Sequence, residues 1–556
     1  MRQFAAILLA ALLASPFTPP KPPPGGEGAQ DEGTGPTGRT LIDGFVRARL
    51  KDLNLAQVGP ADDAEFLRRA SLDITGAIPT MERVQKFLTD PDDGKRAKLV
   101  DELLASEKYA DHMATVWSGL LVGYGDGGQG GLARLMVHRS MKALFAKNVP
   151  FDEFARQVIT AEGNLPVGRG MAQGMMQEDE ELPAGVNGLV GFFVTTQRTA
   201  QREMPQALAG KFSRVFLGTQ IQCAQCHDHP FDKWTQEDFY GMAAFFTQVT
   251  VRREDKKDAK DKEYSFVVGD REMGRRGPQG IMIPDSKNKT PVKPSFLVTN
   301  GKPQAGEEFR AAFARLLTSR ENTQFARSFV NRTWGRFMGR GFVNPVDNFD
   351  AKNAPTHPDL LEALSKTFAE RAYDVKWLIR EIVMSDTYQR TSRSKKRDAE
   401  MEKYCAVAAV RALTPEQIMN SLLTAASASG DAKDNLRPRE LLGVFRDFRY
   451  AFGDDEGAEV VEFQGTIPAA LVMMNSPAVQ RATMAAARGG GGRLAQIVAL
   501  YKNPKDQVTA MFAATLSRGP TVAELNRYMP IAAKGLQGAE DVFWTLLNSS
   551  EFLFNK

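Results

Sequence analysis

Cysteine and histidine are scarce in this chain, three and five respectively among 556 residues. Three thiols cannot make a disulfide scaffold, so the fold must stand on its hydrophobic core. Excess charge of either sign is missing too. The 71 Lys and Arg against 67 Asp and Glu leave a net +4, which gives no basic stripe for nucleic acid. After the first residues no segment is both uncharged and long enough for a transmembrane helix, which needs about 20 residues. Also absent are a nucleophile elbow, an H-E-x-x-H pair and a Walker loop. No carboxylate pair can be identified from spacing as polysaccharide-cleaving machinery, and no internal repeat of about 20 to 50 residues is visible. What is present, 42% hydrophobic and 25% charged residues, is ample for the cores of more than one domain.

The chain opens MRQFAAILLAALLASPFTPP: one arginine, an apolar run from Phe4 to Ala14, then small residues and prolines. That is the layout of a secretory signal. We expect a signal over residues 1–18 and export to the periplasm or cell surface of a bacterium. The pattern leaves the cut open, because Ala14 suits a cleavage site and Leu12 does not. No cysteine follows to carry a lipid anchor. Residues 19–40 hold too few apolar groups to offset the entropy of ordering and are expected to form a disordered tether.

From Leu41 the pattern turns helical. Leu99, Leu103, Leu104, Met113, Trp117, Leu120 and Leu121 recur at three- and four-residue intervals with charges between them, the mark of amphipathic helices around a core. Gly123, Gly125 and Gly128 formally satisfy G-x-G-x-x-G, but a helical pattern precedes them and no ribose-binding acid can be placed, so the stretch reads as a loop. A second glycine-rich loop carries Met171, Met175, Met176 and an acidic run, Glu178 to Glu181. Thr235 with Asp238, Thr414 with Gln417, and Thr521 with Glu524 have capping-box spacing and should open helices. Residues 252–304 change character, with the charge-mixed RREDKKDAKDKE, extended pieces such as YSFVV, and many Gly and Pro. The fold class expected is therefore mainly α, with two multi-helical domains, 41–251 and 305–556, joined by a loop-rich region, 252–304, that has room for a small β-hairpin. Gly489 to Gly492 should be a linker inside the second block.

One stretch carries chemistry. IQCAQCHDHPFDKW, from Ile221, places two of the three cysteines and two of the five histidines within seven residues. Cys223-Ala224-Gln225-Cys226-His227 is C-x-x-C-H, the pattern of c-type haem attachment. Two thiols three apart reach the two vinyl groups on one porphyrin edge, and the adjacent imidazole is carried beneath the ring to the iron. At this composition a chance occurrence has an expected count on the order of 10⁻⁴. Other chemistries stay open. Cys223, Cys226 and either His227 or His229 would give zinc three of four ligands, and the thiols could close a structural disulfide. His229 is expected to brace the loop by bonding a carboxylate, Asp228 or Asp232. Arg198, Arg202 and Arg214, just upstream, could pair with haem propionates or form ordinary surface ion pairs. His112, His138 and His357, together with the methionines, are the candidates for a sixth iron ligand. His112 and His138 fall inside amphipathic helices, where a histidine is more often a satisfied core or boundary residue than a ligand.

Several longer stretches resemble a known family. FLRRASLDITGAIPT, KRAKLVDELLASEKYADH and FLGTQIQCAQCHDHPFDKWTQEDFYGMAAFF look like the first domain of the large two-domain proteins of planctomycete-type bacteria. That domain is cytochrome-c-like and of unknown function. SFVNRTWGRFMGRGFVNPVDNFDAKNAPTHPDLLEALSKTF, DVKWLIREIVMSDTYQRTS, LTPEQIMNSLL and LLNSSEFLFNK look like its C-terminal partner domain. The resemblance covers nearly everything after residue 41. It implies an exported, mainly helical bacterial protein with a cytochrome-like motif at Cys223, Cys226 and His227. It supplies no reaction and no redox partner. Where many relatives carry a cysteine-containing segment before their last helices, this chain has EVVEFQGTIPAALVMMNSP, which removes the expectation of a second redox centre. In the second domain Asn331, Arg332, Trp334, Arg336, Arg340, Asp347, Asn353, His357 and Asp359 form a polar-aromatic set. It would either line a groove or pack, cap and bridge helices.

Overall fold

The computed structural model describes residues 38–123, 129–167, 182, 186–230, 232–255, 264–271, 280–284, 290–428, 467–476, 479–480 and 492–556. The signal at 1–18, the tether up to residue 37, Met171, Met175, Met176, the acidic run, and most of both glycine-rich stretches lie outside them. The protein is mainly α, about 60% helical, with small sheets of two or three strands. The first helix, Gly38–Asp52, opens inside the stretch expected to be tether.

The chain packs as two compact units, each assembled from two separate stretches: Thr37–Asp52 with Glu107–Ile382, and Leu53–Ser106 with Val383–Lys556. Hydrophobic periodicity shows which face of a helix is apolar but not which segment covers it. Each unit therefore draws residues from both of the consecutive blocks read from the sequence.

The unit containing the C-x-x-C-H motif is organised around aromatic rings. Trp117, on the helix Glu107–Val122, stands 5.1 Å from Phe151, 5.5 Å from Phe154, 6.3 Å from Phe216 and 5.8 Å from Phe329. Phe151 also lies 5.2 Å from Phe325, and Phe313 packs on Phe212 and Phe246. Rings from residues 107–251 and 309–382 thus fill one core, and pairs at these separations add to simple area burial. The extended pieces form an antiparallel sheet of β1 (Gly163–Val167), β2 (Val249–Asp255) and β3 (Tyr264–Asp270), in the order β1-β3-β2. The hairpin allowed for in the sequence is β2-β3, and β1 adds a third strand from upstream. Arg310, fully buried, ties the sheet to the helix Phe309–Leu317. It bonds Asp270 at 2.8 Å, Glu162 at 2.8 Å and the Ala161 carbonyl at 2.9 Å.

The second unit is built on the helix Asp63–Thr75. Asp62 caps it by accepting from Glu65 N–H at 2.8 Å, and Gly76, at φ 69°, ends it. Its buried face carries charge. Arg69 donates to the carbonyls of Tyr388 at 2.7 Å, Arg390 at 2.9 Å and Lys556 at 2.9 Å. Asp73 accepts from Tyr388 Oη, Arg411 and Asn555. Buried charges hold only when paired and hydrogen-bonded, and this network fastens the short pair β4 (Arg411–Ala412) and β5 (Phe554–Asn555) beside the helix. All three capping boxes form as their spacing predicts.

Candidate functional site

The motif follows a local irregularity. The helix Met204–Phe212 runs into a π-helical turn, Ser213–Leu217, which Gly218 ends at φ 63°. A short loop then leads to the 3₁₀ turn Gln222–Gln225, after which Cys226 is still near helical geometry. In a 3₁₀ turn residues i and i+3 eclipse, so this turn has two faces of opposite character. Ile221 and Ala224 are fully buried, while Cys223 and Cys226 are both exposed and neither is in a disulfide. The spacing of three therefore sends both thiols out on the same side of a turn anchored by its apolar residues.

Hydrogen bonds brace the turn on either side. Gln222 Nε2 donates to the Gly210 carbonyl at 3.4 Å, and Gln236 Nε2 to the Gln225 carbonyl at 3.0 Å. Asp228 Oδ1 accepts the Gln236 N–H at 2.9 Å, which links the motif to the start of the helix Gln236–Ala244. Tyr240 is buried on that helix. Burial first, and then the electrostatic interaction with Cys226 and Glu203, push its hydroxyl pKa up.

The two neighbouring histidines differ in which ring nitrogen is committed. His227 Nδ1 lies 2.7 Å from the backbone oxygen of Asp228. A carbonyl can only accept, so the proton sits on Nδ1 and the Nε2 lone pair of this exposed ring is left as the ligating atom. His229 is the reverse: its Nδ1 accepts the backbone N–H of Asp232 at 3.0 Å, which puts the neutral ring's proton on Nε2. The Nδ1 atom of His229 thus meets a backbone donor within its own loop. Asp232 Oδ1 accepts the Lys233 N–H, and the His229 N–H closes the loop on the Trp234 carbonyl at 2.8 Å.

The donor set fits a covalently attached haem. Two free thiols, three residues apart, are both exposed, with one exposed imidazole presenting Nε2. It does not form a preassembled cage for a small ion. Among the described residues, the group of three or more His, Cys, Asp or Glu with ligand atoms within 4.8 Å is Glu162, Asp270 and Glu308, and Arg310 already bonds the first two. Two cavities of about 720 and 570 Å³ in the same unit are lined by other residues.

The remaining histidines are engaged in packing. Arg336 donates to His112 Nε2 at 2.6 Å deep in the unit, which fixes that ring as a neutral acceptor. His138 Nε2 lies 3.1 Å from Thr115 Oγ1, and the buried His357 has Nδ1 3.0 Å from Thr356 Oγ1. Arg198 and Arg202 are exposed and Arg214 is half-buried in the π-helical turn. Most of the polar-aromatic set packs and bridges. Trp334 stacks on Phe342 at 4.4 Å, and Asn331 bonds the Val343 backbone in both directions at 2.9 Å. Asn353 Nδ2 donates to the Asn348 carbonyl at 3.0 Å, while Arg340 and Asp359 are exposed.

Sequence reasoning missed what lies behind the motif. Phe349 N–H donates to the Gly218 carbonyl at 2.9 Å and Gln220 Nε2 to Asp347 Oδ1 at 2.9 Å. Nothing in a single sequence links positions so far apart.

No curated protein and no solved structure matches the chain. Residues 41–251 match the model of PSCyt2, a protein of unknown function (DUF1549), and residues 309–440 match that of PSD1, also of unknown function (DUF1553). With both segments present in that order, the chain belongs to the two-domain family of unknown function in which a PSCyt2 segment precedes a PSD1 segment.

Proposed function

We propose that this is an exported protein of the bacterial cell envelope that carries one covalent c-type haem and serves electron transfer or haem-dependent redox chemistry. Cys223 and Cys226 would hold the haem through two thioethers, each formed by addition of an S–H across a vinyl C=C with no leaving group, and His227 Nε2 would supply a ligand to the iron. The observation that carries the reading is the pair of free, exposed thiols on one face of the 3₁₀ turn beside an imidazole whose Nδ1 is tied to the Asp228 carbonyl. The name of the first matching family points the same way. The N-terminal signal pattern supports export, and c-type haem is attached outside the bacterial cytoplasm. Exposure of the site suits exchange of electrons with a redox partner. Among the described residues no helix is long and apolar enough to cross a membrane.

The test is to express the full chain, leader included, in a host with haem c maturation machinery, purify it, and record a pyridine haemochrome spectrum and the intact mass. One haem adduct, lost in the Cys223→Ala/Cys226→Ala double variant, is the result expected. A mass equal to the bare polypeptide in a host that matures a control cytochrome sinks the proposal. It would leave the other reading, an envelope protein without enzymatic activity whose motif holds a structural metal or a disulfide.

A further inference from the structure

The π-helical turn Ser213–Leu217 carries a structural cost whose compensation comes from elsewhere in the chain. Pairing i to i+5 widens the helix, and at a helix end the last carbonyls have no partner within the helix; such turns recur at functional sites. Here side chains and backbone from residues 324–349 meet these carbonyls. Arg332 Nη2 donates to the Arg214 carbonyl at 3.0 Å and to that of Val215 at 3.3 Å. Gln324 Nε2 donates to the Leu217 carbonyl at 2.8 Å, and Phe349 N–H to the Gly218 carbonyl at 2.9 Å. Two residues on, Gln220 Nε2 donates to Asp347 Oδ1 at 2.9 Å. Arg332 and Asp347 are both buried, and the Asp347 charge offsets that of Arg332.

These five bonds all join the approach to the motif, which lies in the segment matching the first family model, to residues of the segment matching the second. We infer that the Cys-x-x-Cys-His site is composite. Gln324, Arg332, Asp347 and the Phe349 backbone are positioning groups that hold residues 214–220, and through them set how Cys223, Cys226 and His227 are presented. The PSD1 segment therefore has a definite role in this protein, which is to complete the site carried by the PSCyt2 segment. This goes beyond the haem reading, because it concerns the peptide that carries the thiols whatever they bind.

Hydrogen exchange followed by mass spectrometry on the full chain tests it. Gln324 is half-buried in the first turn of the helix Thr323–Met338, so Gln324→Ala should leave the fold intact. Losing one such bond should speed exchange in peptides spanning 213–229 by about tenfold. Exchange in the helices Glu107–Val122 and Phe309–Leu317 should stay at the wild-type rate. Gln324→Arg keeps an N–H donor and should return exchange to within about twofold of wild type. Asp347→Asn, which removes the charge opposite Arg332, should reproduce the local effect. Unchanged exchange over 213–229 in both Gln324→Ala and Asp347→Asn, or an equal acceleration throughout the unit, overturns the inference. The haemochrome spectrum of the wild-type preparation reports separately on the haem, so failure of one proposal is distinguishable from failure of the other.

Discussion

Gly218 and Phe349 meet twice, through backbone and through side chain. The Gly218 carbonyl accepts the Phe349 N–H at 2.9 Å, and a β-carbon placed on Gly218 would lie 2.8 Å from Phe349 Cδ2 and 3.0 Å from Ser328 Oγ. Gly218 also sits at φ 63°, in the left-handed region that a side chain makes costly. Strain and overpacking act at one position, just before the motif. Gly218→Ala should therefore destabilise the protein by about 1–3 kcal/mol and lower the yield of covalent adduct. Urea unfolding of the full chain checks the first and haemochrome content per polypeptide the second. A variant within about 0.5 kcal/mol of wild type would mean that the turn yields freely.

Asp73 is the acceptor at the centre of the other unit. It takes Tyr388 Oη at 2.7 Å, Arg411 Nη2 at 2.7 Å and Asn555 Nδ2 at 2.8 Å; Asp73, Tyr388 and Asn555 are buried and Arg411 is half-buried. Replacing it by alanine removes the carboxylate that pairs with half-buried Arg411 and takes from buried Tyr388 and Asn555 the acceptor they share, so Asp73→Ala should cost about 3–5 kcal/mol. Tyr388→Phe removes a single donor and should cost about 1–3 kcal/mol. Chemical denaturation with the two variants side by side gives the comparison. Equal costs would show that the charge pair contributes no more than one neutral bond.

The stretches that carry the family resemblance can now be given physical reasons. FLRRASLDIT was legible as a helix but not as a buried polar hub, because Arg68, Arg69 and Asp73 on a helix ordinarily mark a solvated face. Here their partners lie hundreds of positions away, at residues such as Tyr388 and Arg411. Capping boxes were readable because Thr and its partner three residues later act within one turn. The C-x-x-C-H motif was readable for the same reason: its five residues are consecutive in the chain. The π-helical turn and its donors were not, since Leu217 and Gln324, or Gln220 and Asp347, are brought together only by the aromatic core around Trp117. That each unit draws on both sequence blocks follows the same rule, because periodicity marks an apolar face without naming what covers it.

His112 should make stability depend on pH. Burial first, and then the charge of Arg336, which donates to Nε2 at 2.6 Å, hold its pKa well below the ordinary 6.5. The unfolded chain therefore takes up a proton at a pH where the folded chain does not. The ring's contribution is fully present above pH 6.5 and is lost as pH falls below that value, at up to about 1.4 kcal/mol per pH unit. Urea unfolding at pH 7.5 and at pH 5.5 should show a larger loss for wild type than for His112→Gln. Carboxylates titrate alike in both proteins and cancel in the comparison. Identical losses would mean that His112 is protonated in the fold.

Two histidines, two residues apart, should behave differently when removed. His227 Nδ1 faces the Asp228 carbonyl and leaves Nε2 as the lone-pair donor, while His229 Nδ1 is used up by the Asp232 N–H. Both side chains lie at the surface or partly so, so neither substitution should shift stability by more than about 1 kcal/mol. With haem attached, His227→Ala should keep the mass of the adduct, because the thioethers remain, but lose the wild-type Soret position, which added imidazole should restore. His229→Ala should keep the spectrum and speed exchange only in the 229–235 loop, whose closing bonds run from Asp232 and to Trp234. If instead His229→Ala shifts the Soret band and His227→Ala does not, the tautomer argument is wrong and the iron takes its axial nitrogen from the other ring.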